Sequence, residues 1–446
     1  MSNHDLGSVV LALLLLLVSA NLLGHLFSRF RQPKVVGEIV AGILLGPTLL
    51  GQLAPDTAVL LFGTGDGDAS SIVLSFMYHL GLLLLMFVSG FSVRHVLGKE
   101  NRAPTAWILG VGTPLPFFIA LGLSPWLPID AFVGEVGSRS AVVLVFAVAA
   151  AVTSIPVITK IFHDLGILHT RFASLVLGAA VFEDIMLWGV LSIATAIASA
   201  TLAAAQGALA ETITSHVAVN IAYTISGLFV VPPLLRRLGN ARWNVLAHHS
   251  PATWVMTVFF SYVAAAAVLN VTLVFGAFLA GIGVVGGMKG TDRQRYRQAL
   301  DSVEHLAAAV FVPIYFALVG FRLDLRTSLD AVMLLGFLVG TSLVVIVSIG
   351  LAGRLAGFRG LDLVNLALTC NARGGPGIVL ASVAFDAGII NAPFFTTLVL
   401  TAVLSSQACG FWLDHVLRKG WPLLSGTDLR RRGLESYEDE LDVGVT

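Results

Sequence analysis

The chain has 446 residues, of which 57% are hydrophobic and only 12% charged, and its mean hydropathy is +0.90. Soluble domains carry about 25% charged residues, so this composition excludes a water-soluble globular protein. A net charge of zero gives no electrostatic support to a nucleic-acid partner.

A helix needs about 20 apolar residues to cross a bilayer. Thirteen segments meet or nearly meet that length, at 6–27, 35–51, 72–93, 104–123, 140–158, 172–200, 216–235, 251–269, 271–288, 304–321, 331–353, 362–386 and 391–416. They are numbered 1 to 13 below. The first lacks a basic leader and a small-residue cleavage site, and Ser28-Arg29-Phe30-Arg31 follows it, so it reads as a retained span. The division between segments 8 and 9 is the weakest, with little more than Asn270-Val271 between them. The expected fold is an all-α polytopic membrane protein. After segment 13 the polar residues 417–446, with acidic positions from Glu435 to Asp442, read as a cytoplasmic tail.

Lys and Arg mark the cytoplasmic loops. With the N-terminus outside, the inner side collects nearly all of the basic residues, from Arg29, Arg31 and Lys34 to Arg418, Lys419 and Arg430–Arg432. Only Arg139, Arg322 and Arg326 fall outside, and Arg373 lies within a segment. Adding or removing one crossing would scramble this separation, so the count and the orientation support each other.

Two stretches echo each other. Gly37-Glu38-Ile39-Val40-Ala41-Gly42-Ile43 in segment 2 matches Gly276-Ala277-Phe278-Leu279-Ala280-Gly281-Ile282 in segment 9. Phe87-Val88-Ser89-Gly90-Phe91 in segment 3 matches Ala317-Leu318-Val319-Gly320-Phe321 in segment 10. Both pairs are seven segments apart, and an odd offset inverts the copies. The pattern is an inverted repeat of six helices, one linker and six helices.

Ionisable side chains at bilayer depth are costly and mark function. Glu183 and Asp184 lie together near the middle of segment 6, and Arg373 lies in segment 12. Glu38 sits near the inner end of segment 2, where it is expected to be wet, and Glu304 at the inner start of segment 10. A deprotonated carboxylate can replace the hydration shell of a small cation, so proton and cation compete for the same oxygens. Burial and like charge bring such a group into the physiological pH range. Asp184 is the candidate cation ligand. Neighbouring helix residues point about 100° apart, so Glu183 can face the ion or a partner. The alternative is an acid pair satisfied by Arg373 or by helix ends.

Segments 5 and 12 carry helix breakers, in Val152-Thr153-Ser154-Ile155-Pro156-Val157 and Cys370-Asn371-Ala372-Arg373-Gly374-Gly375-Pro376-Gly377. They too are seven segments apart. Interrupted helices at matching places in two halves point to a binding site. Thr153 and Ser154 could offer hydroxyl or carbonyl oxygens to a cation, or cap a half-helix. Cys370 and Cys409 read as small packing residues. Most histidines lie in or near loops.

The chain also resembles a known family over residues 30–416. The resemblance runs through Gln32-Pro33-Lys34-Val35-Val36-Gly37-Glu38-Ile39, Ala41-Gly42-Ile43-Leu44-Leu45-Gly46-Pro47 and Leu82-Leu83-Leu84-Leu85-Met86-Phe87. It continues through Ile155-Pro156-Val157, Asp164-Leu165-Gly166-Ile167-Leu168, Gly276-Ala277-Phe278-Leu279-Ala280-Gly281 and Asn371-Ala372-Arg373-Gly374. In this combination and order the motifs resemble the monovalent cation:proton antiporter-2 family. That family includes bacterial sodium/proton antiporters of the Nap type and the membrane part of glutathione-gated potassium efflux proteins.

The resemblance implies a homodimer in the bacterial inner membrane, working among lipids and without a cofactor. Segments 1–3 and 8–10 would form a dimerisation domain, segments 4–6 and 11–13 a core moving as an elevator, and segment 7 a linker, all within residues 1–416. It implies two crossed discontinuous helices, cation binding at Asp184, and exchange of Na+ or K+ for protons. Two departures stand out. The residue before the Asp is Glu183 where the family has Asp, Asn or Gln, and segment 11 holds no Lys. The nucleotide-binding domain of the potassium efflux proteins is also absent, so gating by a soluble domain is not expected. With Arg373 the one midplane cation, it is expected to pair with Glu183, leaving Asp184 to exchange one proton for one cation. The runner-up is a sodium-coupled solute symporter of related fold, whose cavity would need more midplane polar residues. A channel would need a selectivity filter. An intramembrane aspartyl protease would need two Asp on separate helices.

Overall fold

A computed structural model describes residues 3–30, 32–63, 68–92, 106–168, 170–205, 211–242, 244–287 and 293–424. The described parts of the expected segments are mainly helical. Eight helices among the described residues are long and apolar enough to cross a membrane by themselves, in segments 1, 2, 3, 7, 8, 10, 11 and 13. In segments 4 and 9 the described α-helices are Pro114–Leu123 and Leu273–Gly287. Segment 6 is a single 35-residue helix, Arg171–Ala205, that carries the acid pair. Segments 5 and 12 are broken. The proposed tail beyond Leu424 lies outside the described residues, as do the basic positions Arg31, Arg94, Lys99, Arg102, Lys289 and Arg430–Arg432.

Segments 8 and 9 separate at Asn270, whose φ of 53° takes the chain out of the helix Pro251–Val268 before Leu273 starts the next. An Asn tolerates this left-handed turn better than most side chains. Segment 10 begins earlier than expected. Its helix starts at Arg293 with a polar stretch to Leu306, passes through one wide turn at Ala307–Phe311, and continues to Phe321.

The two sequence echoes turn out to be two equivalent helix crossings. Segment 2 crosses segment 10 where a Cβ on Gly42 would overlap the Ala317 carbonyl and one on Gly320 the Ile39 carbonyl. Segment 9 crosses segment 3 in the same way, through Gly281 against the Phe87 carbonyl and Gly90 against the Phe278 carbonyl. Gly42 and Gly281 are equivalent positions of one echo, and Gly90 and Gly320 of the other. Small residues let membrane helices approach closely where packing, rather than the hydrophobic effect, holds them together. Segments 1–3 and 8–10 therefore form one tightly packed set.

Segments 4–6 and 11–13 form a second set. On its N-terminal face an antiparallel bridge joins Val133 to Ile390, and Asn391 donates to the Ala131 carbonyl at 2.7 Å. The rings of Phe132 and Phe394 stack below it at 4.4 Å. The two sets touch each other more sparsely. One junction is polar: at the N-terminal face Arg322 Nη1 donates to Asp386 Oδ1 at 2.6 Å, Arg322 Cζ lies 3.9 Å from the centroid of the Tyr78 ring, and Tyr78 donates to Asp386 Oδ2 at 3.0 Å. Deeper in, Tyr315 donates to Ser382 Oγ at 3.0 Å.

Glu38 is not wet as expected. It is 7% exposed, because Gly37 lets segment 1 close over segment 2 and Gly24 packs beside the Glu38 side chain.

Overpacking in a fixed core costs about 1–3 kcal/mol, and the obstacles at these crossings are main-chain carbonyls. Gly42→Val and Gly281→Val should each lower the melting temperature of the detergent-purified protein markedly. Gly336→Ala, with nothing within 4 Å of the added Cβ, should leave it unchanged or raise it slightly. Equal melting temperatures for all three would remove the crossings as the basis of the first set.

Candidate functional site

Segment 5 consists of two half-helices, Arg139–Ala151 and Ile155–Asp164, with Val152–Ser154 irregular between them. Segment 12 is likewise Leu361–Cys370 and Gly374–Asp386, with Asn371–Arg373 between them. The breaks come just before the prolines that announced them. Pro156 and Pro376 both lie in the first turn of the second half-helix, where the missing N–H costs no helical bond.

The two breaks meet. Ser154 N donates to the Ala372 carbonyl at 2.7 Å, and Thr153 Oγ1 donates to the Cys370 carbonyl at 2.7 Å. Thr153 Oγ1 also stands 3.0 Å from Glu183 Oε1, which brings segment 6 to the same point. Thr153, Ser154 and Glu183 are all buried. Gly374 has a φ of 37°, and a Cβ there would stand 2.5 Å from Ser154 Oγ and overlap Val157, so this position takes only glycine without strain. The backbone of Asp184 continues the segment 6 helix next to Glu183, while its side chain lies outside the described groups, as does that of Pro156.

Segment 13 supplies two residues that the sequence reading missed. Ser405 Oγ accepts from Arg373 N at 3.3 Å, and Ser406 Oγ accepts from Gly374 N at 3.0 Å. These are orphan donors of the second half-helix of segment 12. Adjacent serines in the middle of an apolar segment were the available signal. Asn371 donates through Nδ2 to Ser342 Oγ on segment 11 at 2.9 Å.

Arg373 departs from expectation. It is 2% exposed, and its three guanidinium nitrogens make no hydrogen bond among the described residues, so the expected pairing with Glu183 is not formed. Glu183 is instead engaged by Thr153. The sequence places the two charges in the same layer. The irregular turn that holds Arg373 then decides where its side chain goes, and no spacing rule predicts that.

A carboxylate, a hydroxyl and the carbonyl ends of two half-helices make an all-oxygen environment suited to a hard cation. Among the described residues no group of three His, Cys, Asp or Glu is placed to hold a metal.

The family model for the transmembrane sodium/hydrogen exchanger matches residues 11–419. The chain belongs to the sodium/hydrogen exchanger family. Relatives include K(+)/H(+) antiporter 1 of Saccharomyces cerevisiae, 30% identical over 88% of this chain and 44% of the relative. Another is the Na(+)/H(+)-K(+) antiporter GerN of Bacillus cereus, 25% identical over 88% of this chain and 92% of the relative. The chain thus spans less than half of the yeast relative and most of the bacterial one. Its fold is similar to that of the sodium proton antiporter MjNhaP1 from Methanocaldococcus jannaschii, with a TM-score of 0.64 and 14% identity over 92% of this chain and 98% of that one.

For this exchanger-family site, Gly374→Ala should destabilise the protein by about 2 kcal/mol from overpacking and backbone strain. Gly375→Ala, whose added Cβ would meet nothing closer than 3.7 Å, should be tolerated. Thermal unfolding of both variants in detergent checks this. A Gly374→Ala protein as stable as the parent would mean the breaks do not touch as described.

Proposed function

We propose that this chain is a secondary antiporter that exchanges a monovalent cation, Na+ or K+, for protons. The observation that carries the proposal is the meeting of two half-helix breaks beside Glu183 at the middle of segment 6. The two relatives named above, a K(+)/H(+) antiporter and a Na(+)/H(+)-K(+) antiporter, agree with it. Asp184 and Glu183 are assigned as the carboxylates that take proton or cation in turn, and Thr153 and Ser154 as the oxygen-bearing break.

The thirteen-crossing topology with the N-terminus outside, the bacterial inner membrane location and the homodimer belong to the same proposal. The core of segments 4–6 and 11–13 moves as an elevator against segments 1–3 and 8–10. The close packing within each set and the sparser packing between them support that division.

Two tests follow. In proteoliposomes Asp184→Asn should abolish cation-dependent proton flux while leaving the melting profile intact, and retained flux would refute the assignment. The one-for-one exchange expected from an Arg373–Glu183 pair has no geometric basis here, so both carboxylates are assigned to exchange. A membrane potential alone should then drive cation uptake through the purified protein, and potential-independent flux would return Asp184 to sole exchanger. For the movement, Arg322→Cys with Asp386→Cys, bridged by a short bifunctional thiol reagent, should stop flux, and cleavage of the bridge should restore it. Unaltered flux in the bridged protein would rule out relative motion at that junction.

A further inference from the structure

The Cys370 carbonyl is an unusual acceptor. It closes the first half-helix of segment 12, where the last carbonyls lack intrahelical donors. In a continuous helix its donor would be the N–H of Gly374, four residues on. That N–H goes to Ser406 Oγ at 3.0 Å, and the N–H of Arg373 before it goes to Ser405 Oγ at 3.3 Å. Segment 13 thus draws both amides away, and the contact at 2.7 Å that serves the Cys370 carbonyl comes from Thr153 Oγ1.

A hydroxyl has one proton to give. Thr153 Oγ1 lies 2.7 Å from the Cys370 oxygen, the usual length of a full O–H···O bond, and 3.0 Å from Glu183 Oε1. Both oxygens are within reach of the hydroxyl, and while its proton is directed at the Cys370 carbonyl that carbonyl is covered. Rotation about the Thr153 Cβ–Oγ1 bond would give that proton to Glu183 instead. The carbonyl would then face the Thr153 oxygen with no proton between them. Two bare oxygens at that distance repel each other, and a small cation bound to the carbonyl relieves the repulsion. The negative end of the half-helix dipole lies at the same place and favours a positive charge there.

Resting on the cation/proton reading above, we propose that the main-chain carbonyl of Cys370 is a ligand for the transported cation, and that Thr153 is a positioning residue that covers it. The hydroxyl covers the carbonyl until the cation enters, and then turns to Glu183. Segment 13 takes part without touching the ion, because Ser405 and Ser406 keep the competing amides away. The charged or titratable groups nearest in sequence to this row are Asp184, Arg373 and the Cys370 thiol. The proposal asks nothing of their protonation.

The test weakens the carbonyl without changing a side chain. Replacing Asn371 by its α-hydroxy analogue turns the Cys370–Asn371 amide into an ester, whose carbonyl is a poorer oxygen ligand. Binding of Na+ and of K+ to the purified full-length protein is measured by isothermal titration at fixed pH, with the melting temperature as the check on folding. We expect the ester to weaken binding about tenfold, both in the parent and in Thr153→Val. The same ester at Ala372, which weakens the Asn371 carbonyl, should change it less than threefold. Thr153→Ser should bind within threefold of the parent. If the carbonyl serves only as the acceptor for Thr153, the ester effect disappears in Thr153→Val and the proposal fails. It fails also if the ester has no effect in either background. If the parent binds neither cation, the cation/proton reading falls and takes this proposal with it, an outcome distinct from normal binding that ignores the ester.

Discussion

No water reaches backbone groups in the hydrocarbon core, so each broken helix must have its freed N–H and C=O groups met by protein. The arrangement at segments 5 and 12 is a solution to that constraint. The break in segment 5 supplies donors to the break in segment 12: Ser154 N serves the Ala372 carbonyl, and Thr153 serves that of Cys370. Segment 13 closes the account with Ser405 and Ser406. The irregular backbone is therefore tolerated only where these three segments stay together, and that explains why segments 5, 12 and 13 share one packed set.

The other set is held by a different device. Its two equivalent crossings bring helices to backbone contact through Gly42 with Gly320 and Gly281 with Gly90. Such crossings have many main-chain contacts and little adaptable side-chain volume, which makes for a stiff unit. Irregular backbone and polar contacts are concentrated in one half of the molecule, and close glycine packing in the other. That contrast supports the proposed division into a fixed frame and a moving part.

The crossing glycines were legible in the sequence as echoes seven segments apart, although the sequence could not say that segment 2 meets segment 10 and segment 9 meets segment 3. The breaks were legible from Thr153–Pro156 and Asn371–Gly377, because Pro and Gly act locally. What was not legible depends on tertiary approach. Glu38 looked close to water, and segment 1 covers it because Gly37 allows it. Arg373 looked like the partner of Glu183, but the turn at Asn371–Gly374 carries it elsewhere. Ser405 and Ser406 lie some thirty residues beyond the amides they serve, and no periodicity reports such a pairing.

The junction of Tyr78, Arg322 and Asp386 has a further consequence. Its charged pair is about one third exposed on the arginine side and about a quarter on the aspartate side, which keeps the interaction modest. Added to the cation–π contact, it contributes on the order of 1 kcal/mol to the arrangement in which it forms. An energy of that size is too small to hold two bodies shut, but it shifts the ratio of two otherwise equal populations about fivefold. In the proposed movement of one set against the other, the junction would act on dwell time. It would lengthen the stay in the state where the N-terminal face is pinned together, and it would let thermal motion end that stay without help from a ligand.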